Sequence, residues 1–207
     1  RNGPMRIRGS TRLLAVVGDP VAHSLSPRLH NAAIAALGLD AVYVALRVRP
    51  DGLVPLVRAL VAAGAGLNVT VPHKRAVVAL LDQVPGVVRR TGACNVVWSW
   101  TGGLAGDNTD VDAVRQEATR LVAGRPLHRA LVIGTGGSAR AAAVALADGW
   151  PACVVEVLSR DARRSADFVA WAAGAGVAAE AAGEGAVDLV VNATPLVLPV
   201  HFRMLLF

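Results

Sequence analysis

The segment ALVIGTGGSA at residues 130–139 decides the fold of the second half of the chain. Four apolar residues lead directly into the pattern G-x-G-x-x-A, and helix-forming residues follow it. Glycines in such a turn let the backbone approach a pyrophosphate, whose charge the N-terminus of the next helix stabilises. Because the turn joins a strand to a helix, it predicts a dinucleotide-binding site. The predicted contact residues are Gly134, Gly136, Gly137, Ser138 and Ala139.

The residues after this turn continue to alternate between helices and strands. A helix at 138–147 is followed by a strand at 152–158, a helix at 162–173 and a strand at 188–191. Together with the strand before the turn, they form a β-α-β-α-β unit. Such a unit is one mononucleotide-binding half of a Rossmann-like fold.

The end of the second strand of this unit indicates which dinucleotide binds. An NAD site usually carries Asp or Glu at that point to hold the ribose 2′-hydroxyl. This chain instead has Ser159 and Arg160, with Arg164 close behind. Serine leaves room for a 2′-phosphate and guanidinium groups can clamp it, although Asp161 is expected to weaken the clamp. The sequence therefore predicts NADP as the cofactor.

A Gly-Arg-Pro sequence at 124–126 separates this unit from the first half of the chain. We therefore predict domains at 1–123 and 124–207, the second Rossmann-like and incomplete at its C-terminal end. The first half alternates apolar strands with helix-length segments, which predicts an α/β domain with a mostly parallel sheet. Its strands are predicted at 12–18, 41–48 and 66–71, with a strand pair at 92–100 and 104–108, and its helices at 26–37, 51–63, 74–81 and 110–123. Ser26 is predicted to be the N-cap of the first helix.

Polar side chains cluster where these strands are predicted to end, which is where α/β enzymes bind ligands. Ser24 and Ser26 follow the first strand, and Asn68 and Thr70 share one face of the third. Lys74 lies just beyond that strand. The remaining members of the set are Asn95 and Asp110.

Lys74 is the single lysine among the 21 basic residues of the chain. Arginine does not release its proton near neutral pH, whereas lysine can do so when its surroundings lower its pKa. A chain that otherwise uses arginine for positive charge retains lysine at one place, which makes Lys74 a candidate for proton transfer.

These motifs resemble those of the shikimate dehydrogenase family. The patterns S-x-S-P, N-V-T-x-P-x-K, G-A-x-N and G-x-N-T-D occur in order, followed by the glycine-rich turn, an N-R-T-like segment and N-A-T-P at 192–195. The resemblance extends from about residue 13 to residue 195. It implies hydride transfer between NADPH and the C3 carbonyl of 3-dehydroshikimate, which gives shikimate on the way to chorismate and the aromatic amino acids.

The resemblance also implies a role for each residue of the set. Ser24 and Ser26 would bind the shikimate carboxylate, and Lys74 and Asp110 would form the catalytic pair. The ring hydroxyls would be held by Asn68, Thr70, Asn95 and Asp110, and the cofactor by Asn192 and Thr194 in addition to the residues named above.

The chain departs from the family pattern at several positions. Val96 and Ala113 stand where the family has Thr and Gly, and the Gly-Met that follows N-A-T-P in the family is absent. The apolar tail at 196–207 has no further predicted strand or helix to cover it, so we expect poor turnover and an open sheet edge. The alternative is that the tail packs into the cleft or into a homodimer interface and the enzyme works normally.

Composition excludes several other classes of protein. No stretch has the roughly 18 continuous apolar residues of a membrane span, and no basic segment with an apolar h-region starts the chain, which predicts a soluble, cytoplasmic protein. The net charge of +6 is spread along the chain, which argues against nucleic-acid binding. Cys94 and Cys153 are predicted to be buried free thiols, and no Cys/His spacing suggests a metal site.

Two other functions remain open from the sequence. One is a quinate/shikimate dehydrogenase with relaxed substrate or NAD use, against which Ser159 and Arg160 argue. The other is a truncated, non-catalytic relative that binds substrate or nucleotide without turnover.

Overall fold

The computed structural model describes residues 7–101 and 103–195, together with the backbone of a strand at Met204–Leu206. The chain divides into two compact units. The first consists of Arg1–Pro85 with Cys94–Asp107, and the second of Gly86–Ala93 with Asn108–Phe207. Among the described residues, no helix is both long and apolar enough to cross a membrane.

A five-stranded sheet forms the centre of the first unit, with the strand order β2-β1-β3-β4-β5. Its first three strands are parallel, and β4 and β5 form an antiparallel hairpin, which confirms the predicted strand pair. The strands are β1 (Arg12–Gly18), β2 (Ala41–Arg47), β3 (Gly66–Val69), β4 (Val96–Trp100) and β5 (Gly103–Asp107).

The helices of the first unit begin and end close to their predicted positions. Helix α1 (Ser26–Leu37) ends at Gly38, which has a φ of 65° and donates its N–H to the carbonyl of Ala35. The predicted helix at 51–63 is a 3₁₀ turn, Pro50–Gly52, followed by α2 (Leu53–Ala62). The predicted helix at 74–81 is only a 3₁₀ helix, Ala76–Leu80.

The prediction that Ser26 caps α1 is wrong. Leu25 is the N-cap residue, its side chain accepts no hydrogen bond, and Ser26 is already the first helical residue. The hydroxyl of Ser24 accepts a hydrogen bond from the N–H of Ser26 at 3.3 Å. Because the Ser24 hydroxyl accepts the N–H of Ser26, the hydroxyl of Ser26 is not needed to cap the helix.

A parallel five-stranded sheet forms the centre of the second unit, with the order β10-β9-β6-β7-β8. Its strands are β6 (Arg129–Ile133), β7 (Val154–Leu158), β8 (Ala179–Ala181), β9 (Leu189–Asn192) and β10 (Met204–Leu206). Its helices are α3 (Gly86–Thr91), α4 (Asp110–Val122), α5 (Gly137–Gly149) and α6 (Ala162–Gly174).

This sheet corrects the prediction that only three strands are present. The short strand β8 pairs with β7 at one edge. At the other edge, β10 lies parallel to β9, with Met204 opposite Val190. The expectation that the apolar tail has no partner strand is therefore wrong for residues 204–206. The other tail residues, 196–203 and 207, lie outside the described residues.

Helix α4 belongs to the second unit, so the division between the units differs from the predicted boundary at residue 123. Its apolar stripe, which includes Val114 and Ala118, is buried in the same core as α5. Helix α5 is rich in alanine on its buried faces, from Ala139 to Ala145. Such small side chains let neighbouring elements approach the helix closely.

Both cysteines are buried free thiols, as predicted. Burial raises the pKa of Cys94 to about 11 and that of Cys153 to about 11. The Sγ atom of Cys94 also lies where a side chain at Gly106 would have to go, which leaves no room for a larger group.

We expect both thiols to resist chemical modification in the folded protein, because the thiolate is the reactive form. At about pH 8, modification by a disulfide reagent should be at least tenfold slower than in urea. These raised pKa values also stabilise the fold below the ordinary thiol pKa of 9.0, and this contribution is lost as the pH rises towards about 11. Rapid labelling of the native protein would contradict the burial of these side chains.

Candidate active site

The sheet register of the first unit brings the ends of three strands together. Because β1 and β3 are parallel neighbours, their carboxyl ends lie side by side at the same end of the sheet, called the sheet edge below. Strand β4 runs in the opposite direction, with Val96 opposite Asn68, so the residue before it lies at this edge as well. The carbonyl of Asn95 accepts a hydrogen bond from the N–H of Val69 at 2.8 Å. The register therefore places Asn95 beside the end of β3.

Asn68 lies on β3 and is hydrogen-bonded to a residue that sequence reasoning missed. The hydroxyl of Tyr43, on the edge strand β2, donates to Oδ1 of Asn68 at 2.7 Å. Ser26 lies close enough to the same phenol to lower its pKa, against the larger effect of burial. Tyr43 thus connects Ser26 and Asn68, two residues of the predicted substrate set.

One signal in the sequence could have found Tyr43. It is the single tyrosine of the chain and lies in an otherwise apolar strand. A buried tyrosine usually needs a hydrogen-bond partner for its hydroxyl, and Tyr43 is only 4% exposed. Burial raises its pKa to about 12, so the phenol stays protonated at ordinary pH.

Lys74 is half-buried, and hydrogen bonds hold its backbone carbonyl and the neighbouring His73 in place. Its carbonyl accepts a hydrogen bond from the N–H of Cys94 at 2.7 Å. The preceding residue, His73, is 1% exposed, and its Nε2 lies 2.7 Å from the carbonyl oxygen of Val48. These contacts anchor the backbone of Lys74 beside the strand ends that carry Asn68 and Asn95.

Thr70 follows β3 directly and is fixed against β1. Its N–H donates to the carbonyl of Val17 at 2.9 Å, and its methyl group occupies the space that a side chain at Gly18 would need. Glycine at position 18 therefore permits the close approach of β1 to the residue after β3. The first unit thus contains six residues of the predicted substrate and catalytic set, namely Ser24, Ser26, Asn68, Thr70, Lys74 and Asn95.

Asp110 opens helix α4 in the second unit, where Asn108 organises its surroundings. Asn108 is 3% exposed, and its amide nitrogen donates to the hydroxyl of Thr91 and to the carbonyl of Ala93. Its Oδ1 accepts the N–H of Asp110 at 3.3 Å. The structure therefore gives Asn108 a local role in holding the first turn of α4.

The glycine-rich turn joins β6 to α5, as the motif predicted. Gly134 has a φ of 111°, which is the conformation that favours glycine. A Cβ atom at this position would lie 3.0 Å from Cγ2 of Thr194 and 3.1 Å from the carbonyl oxygen of Ala193. Gly136 is the N-cap residue of α5, and Gly137, Ser138 and Ala139 form its first turn. The N-terminal amides of α5 therefore follow a tight turn, in which a side chain at Gly134 would crowd Thr194 and the backbone of Ala193.

The residues after β9 are held beside this turn by Asn192. Its side-chain oxygen accepts the N–H of Thr194 at 3.0 Å and the hydroxyl of Thr194 at 2.7 Å. Asn192 itself is fully buried. Asn192 thus holds Thr194 near Gly134.

The predicted 2′-phosphate segment follows β7. The hydroxyl of Ser159 accepts the N–H of Asp161, and Arg160 is exposed. Asp161 is the N-cap residue of α6, and its carboxylate accepts the N–H of Arg163 at 2.9 Å. Nε of Arg164 lies 3.8 Å from the same carboxylate. The structure therefore explains the acidic residue at this position, since Asp161 caps the helix.

Comparison with known proteins agrees with both units. Residues 16–97 match the family model described as the shikimate dehydrogenase substrate binding domain. The shikimate dehydrogenase (NADP(+)) of Anaeromyxobacter dehalogenans is 43% identical over 208 residues, which cover 94% of this chain and 73% of that protein. The chain belongs to the shikimate dehydrogenase family.

Another member of the shikimate dehydrogenase family, from Synechococcus sp., is 50% identical over 139 residues. The match covers 66% of this chain and 47% of that protein, so the chain spans about half the length of this curated relative.

Two solved structures of similar fold hold ligands. Shikimate 5-dehydrogenase from Thermus thermophilus, in complex with NADP(H) and shikimate, has a TM-score of 0.72 and 37% identity, and the match covers 88% of this chain and 68% of that one. Quinate dehydrogenase from Corynebacterium glutamicum, in complex with NAD, has a TM-score of 0.78 and 31% identity, with 91% and 72% covered. The fold shared with the shikimate dehydrogenase family thus occurs with either cofactor.

Proposed function

We propose that this chain catalyses the reversible, NADP-linked reduction of 3-dehydroshikimate to shikimate. The observation that carries the proposal is the set of polar side chains at one sheet edge of the first unit, with Lys74 anchored beside Asn95 through Cys94. Family membership supports the assignment of this set to a shikimate-like substrate. The pathway leading to chorismate, action in the cytoplasm and assembly as a homodimer are parts of the same proposal.

In this proposal, two groups of side chains bind the substrate. Ser24 and Ser26 lie at the N-terminus of α1, where the helix dipole favours a carboxylate. The hydroxyls on the ring would be held by the side chains at the strand ends, namely Asn68, Thr70 and Asn95, and by Asp110.

Lys74 would move the proton at the C3 oxygen of the substrate. An ammonium group can donate a proton to that oxygen and stabilise negative charge on it, which no arginine in this chain can do equally well. Asp110 would orient the lysine and the reacting hydroxyl. Since Asp110 belongs to the second unit, its partnership with Lys74 rests on the family resemblance.

The residues of the second unit fit NADP. The turn at Gly134 has a positive φ and is closely packed, which fits the tight glycine turn that precedes a pyrophosphate-binding helix. Ser159, Arg160 and Arg164 supply a small residue and two guanidinium groups at the end of β7, a donor set suited to a 2′-phosphate. When bound, the cofactor supplies or accepts the hydride.

We expect Arg160→Ala to weaken NADP binding about ten- to hundredfold and to leave NAD binding nearly unchanged. The lost contact is a charge-assisted hydrogen bond to a phosphate that NAD lacks. Fluorescence titration with both cofactors would measure the effect, with Arg163→Ala as the matched control. Equal weakening of both cofactors by Arg160→Ala would show that Arg160 supports the fold only.

Calorimetric titration with shikimate, with quinate and with NADP tests the proposed ligands directly. We expect shikimate and NADP each to bind when added alone, so that no reaction takes place. Shikimate should bind more tightly than quinate. A folded sample that binds quinate and NAD in preference would support the quinate dehydrogenase alternative instead. A sample that binds neither acid would overturn the proposal.

A further inference from the structure

We infer that Tyr43 is a positioning residue that fixes which end of the Asn68 amide faces the substrate. The inference rests on the proposed function, because it takes Asn68 as part of the shikimate site. It concerns a residue outside every motif that identified the family.

The orientation of the Asn68 amide follows from two neighbours of opposite character. Its Oδ1 accepts the hydroxyl of Tyr43 at 2.7 Å, and its Nδ2 lies 3.5 Å from the carbonyl oxygen of Asn95. A carbonyl oxygen can only accept, so it tolerates the amide nitrogen and repels the amide oxygen. The Asn95 carbonyl thus favours this amide orientation, and the phenol, which can donate or accept, stabilises it by donating to Oδ1.

The phenol itself is held in place from several sides. The side chain of Asn31, on α1, bonds both backbone groups of Tyr43, accepting its N–H at 2.9 Å and donating to its carbonyl at 2.8 Å. The ring of His30 stacks on the ring of Tyr43 with centroids 4.3 Å apart and an interplanar angle of 11°. Together with burial, these contacts hold the ring where its hydroxyl meets Asn68.

The consequence is a defined polarity at the substrate site. The Asn68 side chain makes no other hydrogen bond within residues 7–101 and 103–195, so one of its two N–H groups is available to a ligand, while its oxygen already accepts one hydrogen bond. We therefore expect Asn68 to offer its free N–H to the substrate, and the substrate oxygen that meets this N–H accepts. The proton of that substrate hydroxyl has to be donated to another group.

Tyr43→Phe removes the hydroxyl and keeps the ring that stacks on His30. We expect this variant to bind shikimate about tenfold more weakly, because the Asn68 amide loses its fixed orientation, with KM affected more than kcat. NADP affinity, which depends on the second unit, should not change and serves as the control for folding.

A double-mutant cycle with Asn68→Ala separates positioning from a general effect on the fold. If Tyr43 acts through Asn68, Tyr43→Phe should change shikimate affinity by less than about twofold in the Asn68→Ala background. An equal loss in both backgrounds, or no loss in the parent, would overturn the inference.

A measurement without ligand keeps this inference distinct from the proposed function. In the ligand-free protein, the side-chain amide of Asn68 should give rigid nuclear magnetic resonance signals that become mobile in Tyr43→Phe. Signals that stay rigid in the variant would refute the positioning role whatever shikimate does. If the amide loosens as expected but the parent binds no shikimate, the proposed function fails and the orientation of Asn68 by Tyr43 stands.

Discussion

Lys74→Met is expected to lower kcat by about 100-fold or more while leaving shikimate affinity within a few-fold of the parent. Methionine has a similar length and no proton to give, so it removes proton transfer and positive charge together. The backbone contact between Lys74 and Cys94 does not involve the side chain and should persist. Steady-state kinetics together with a calorimetric titration would separate turnover from binding.

Two further variants show whether the proton or the charge matters. Lys74→Arg keeps the charge but holds its proton too tightly for transfer, so we expect most of the loss to remain. Arg75→Met changes an exposed neighbour in the same segment and should have little effect. Near-normal turnover of Lys74→Met or of Lys74→Arg would show that Lys74 does not transfer the proton.

Gly134→Ala is expected to destabilise the second unit by about 2–4 kcal/mol and to weaken NADP binding at least tenfold. The backbone at Gly134 has a φ of 111°, which alanine adopts only with strain. The added methyl group would also approach Thr194 and the backbone of Ala193, and a backbone atom cannot move aside as easily as a flexible side chain. Urea denaturation and cofactor titration would measure the two effects.

Gly136→Ala is the matched control for this change. Gly136 has a φ of −78°, and a Cβ atom there would meet no atom within 4 Å. The unfolding free energy of this variant should therefore stay close to that of the parent. If the two variants were equally stable, close packing at Gly134 would not be the reason for glycine at this position.

Much of the fold could be predicted from the sequence, because its strands are apolar and its turns carry strong local signals. Strand β1 occupies the predicted residues, and Gly38 ends α1 in the left-handed conformation expected of it. The strand–turn–helix at Gly134 was recognisable because the motif and its surroundings agree.

The remaining features depend on tertiary contacts that local patterns do not show. Strand β8 has only three residues and exists because it pairs with β7, and β10 pairs with β9 in the same way. The N-cap of α1 is Leu25 and not the predicted Ser26, and the hydroxyl of Ser24 accepts the N–H of Ser26. Helix propensity alone cannot reveal such a choice.

The candidate site could be predicted residue by residue but not in its connections. The motifs identified Asn68 and Ser26, yet the phenol of Tyr43 that joins them comes from a strand 25 residues from Asn68. Only the register of β2, β1 and β3 brings these side chains together. The contact between the buried ring of His73 and the carbonyl of Val48 likewise depends on the tertiary fold, because the two residues are 25 positions apart in the sequence.

The most direct test of the central proposal is the appearance of NADPH when the protein is mixed with shikimate and NADP. We expect shikimate-dependent formation of NADPH that is much slower with NAD and is abolished by Lys74→Met. A folded protein that binds both ligands but forms no NADPH, or one whose turnover survives Lys74→Met, would contradict the proposed function.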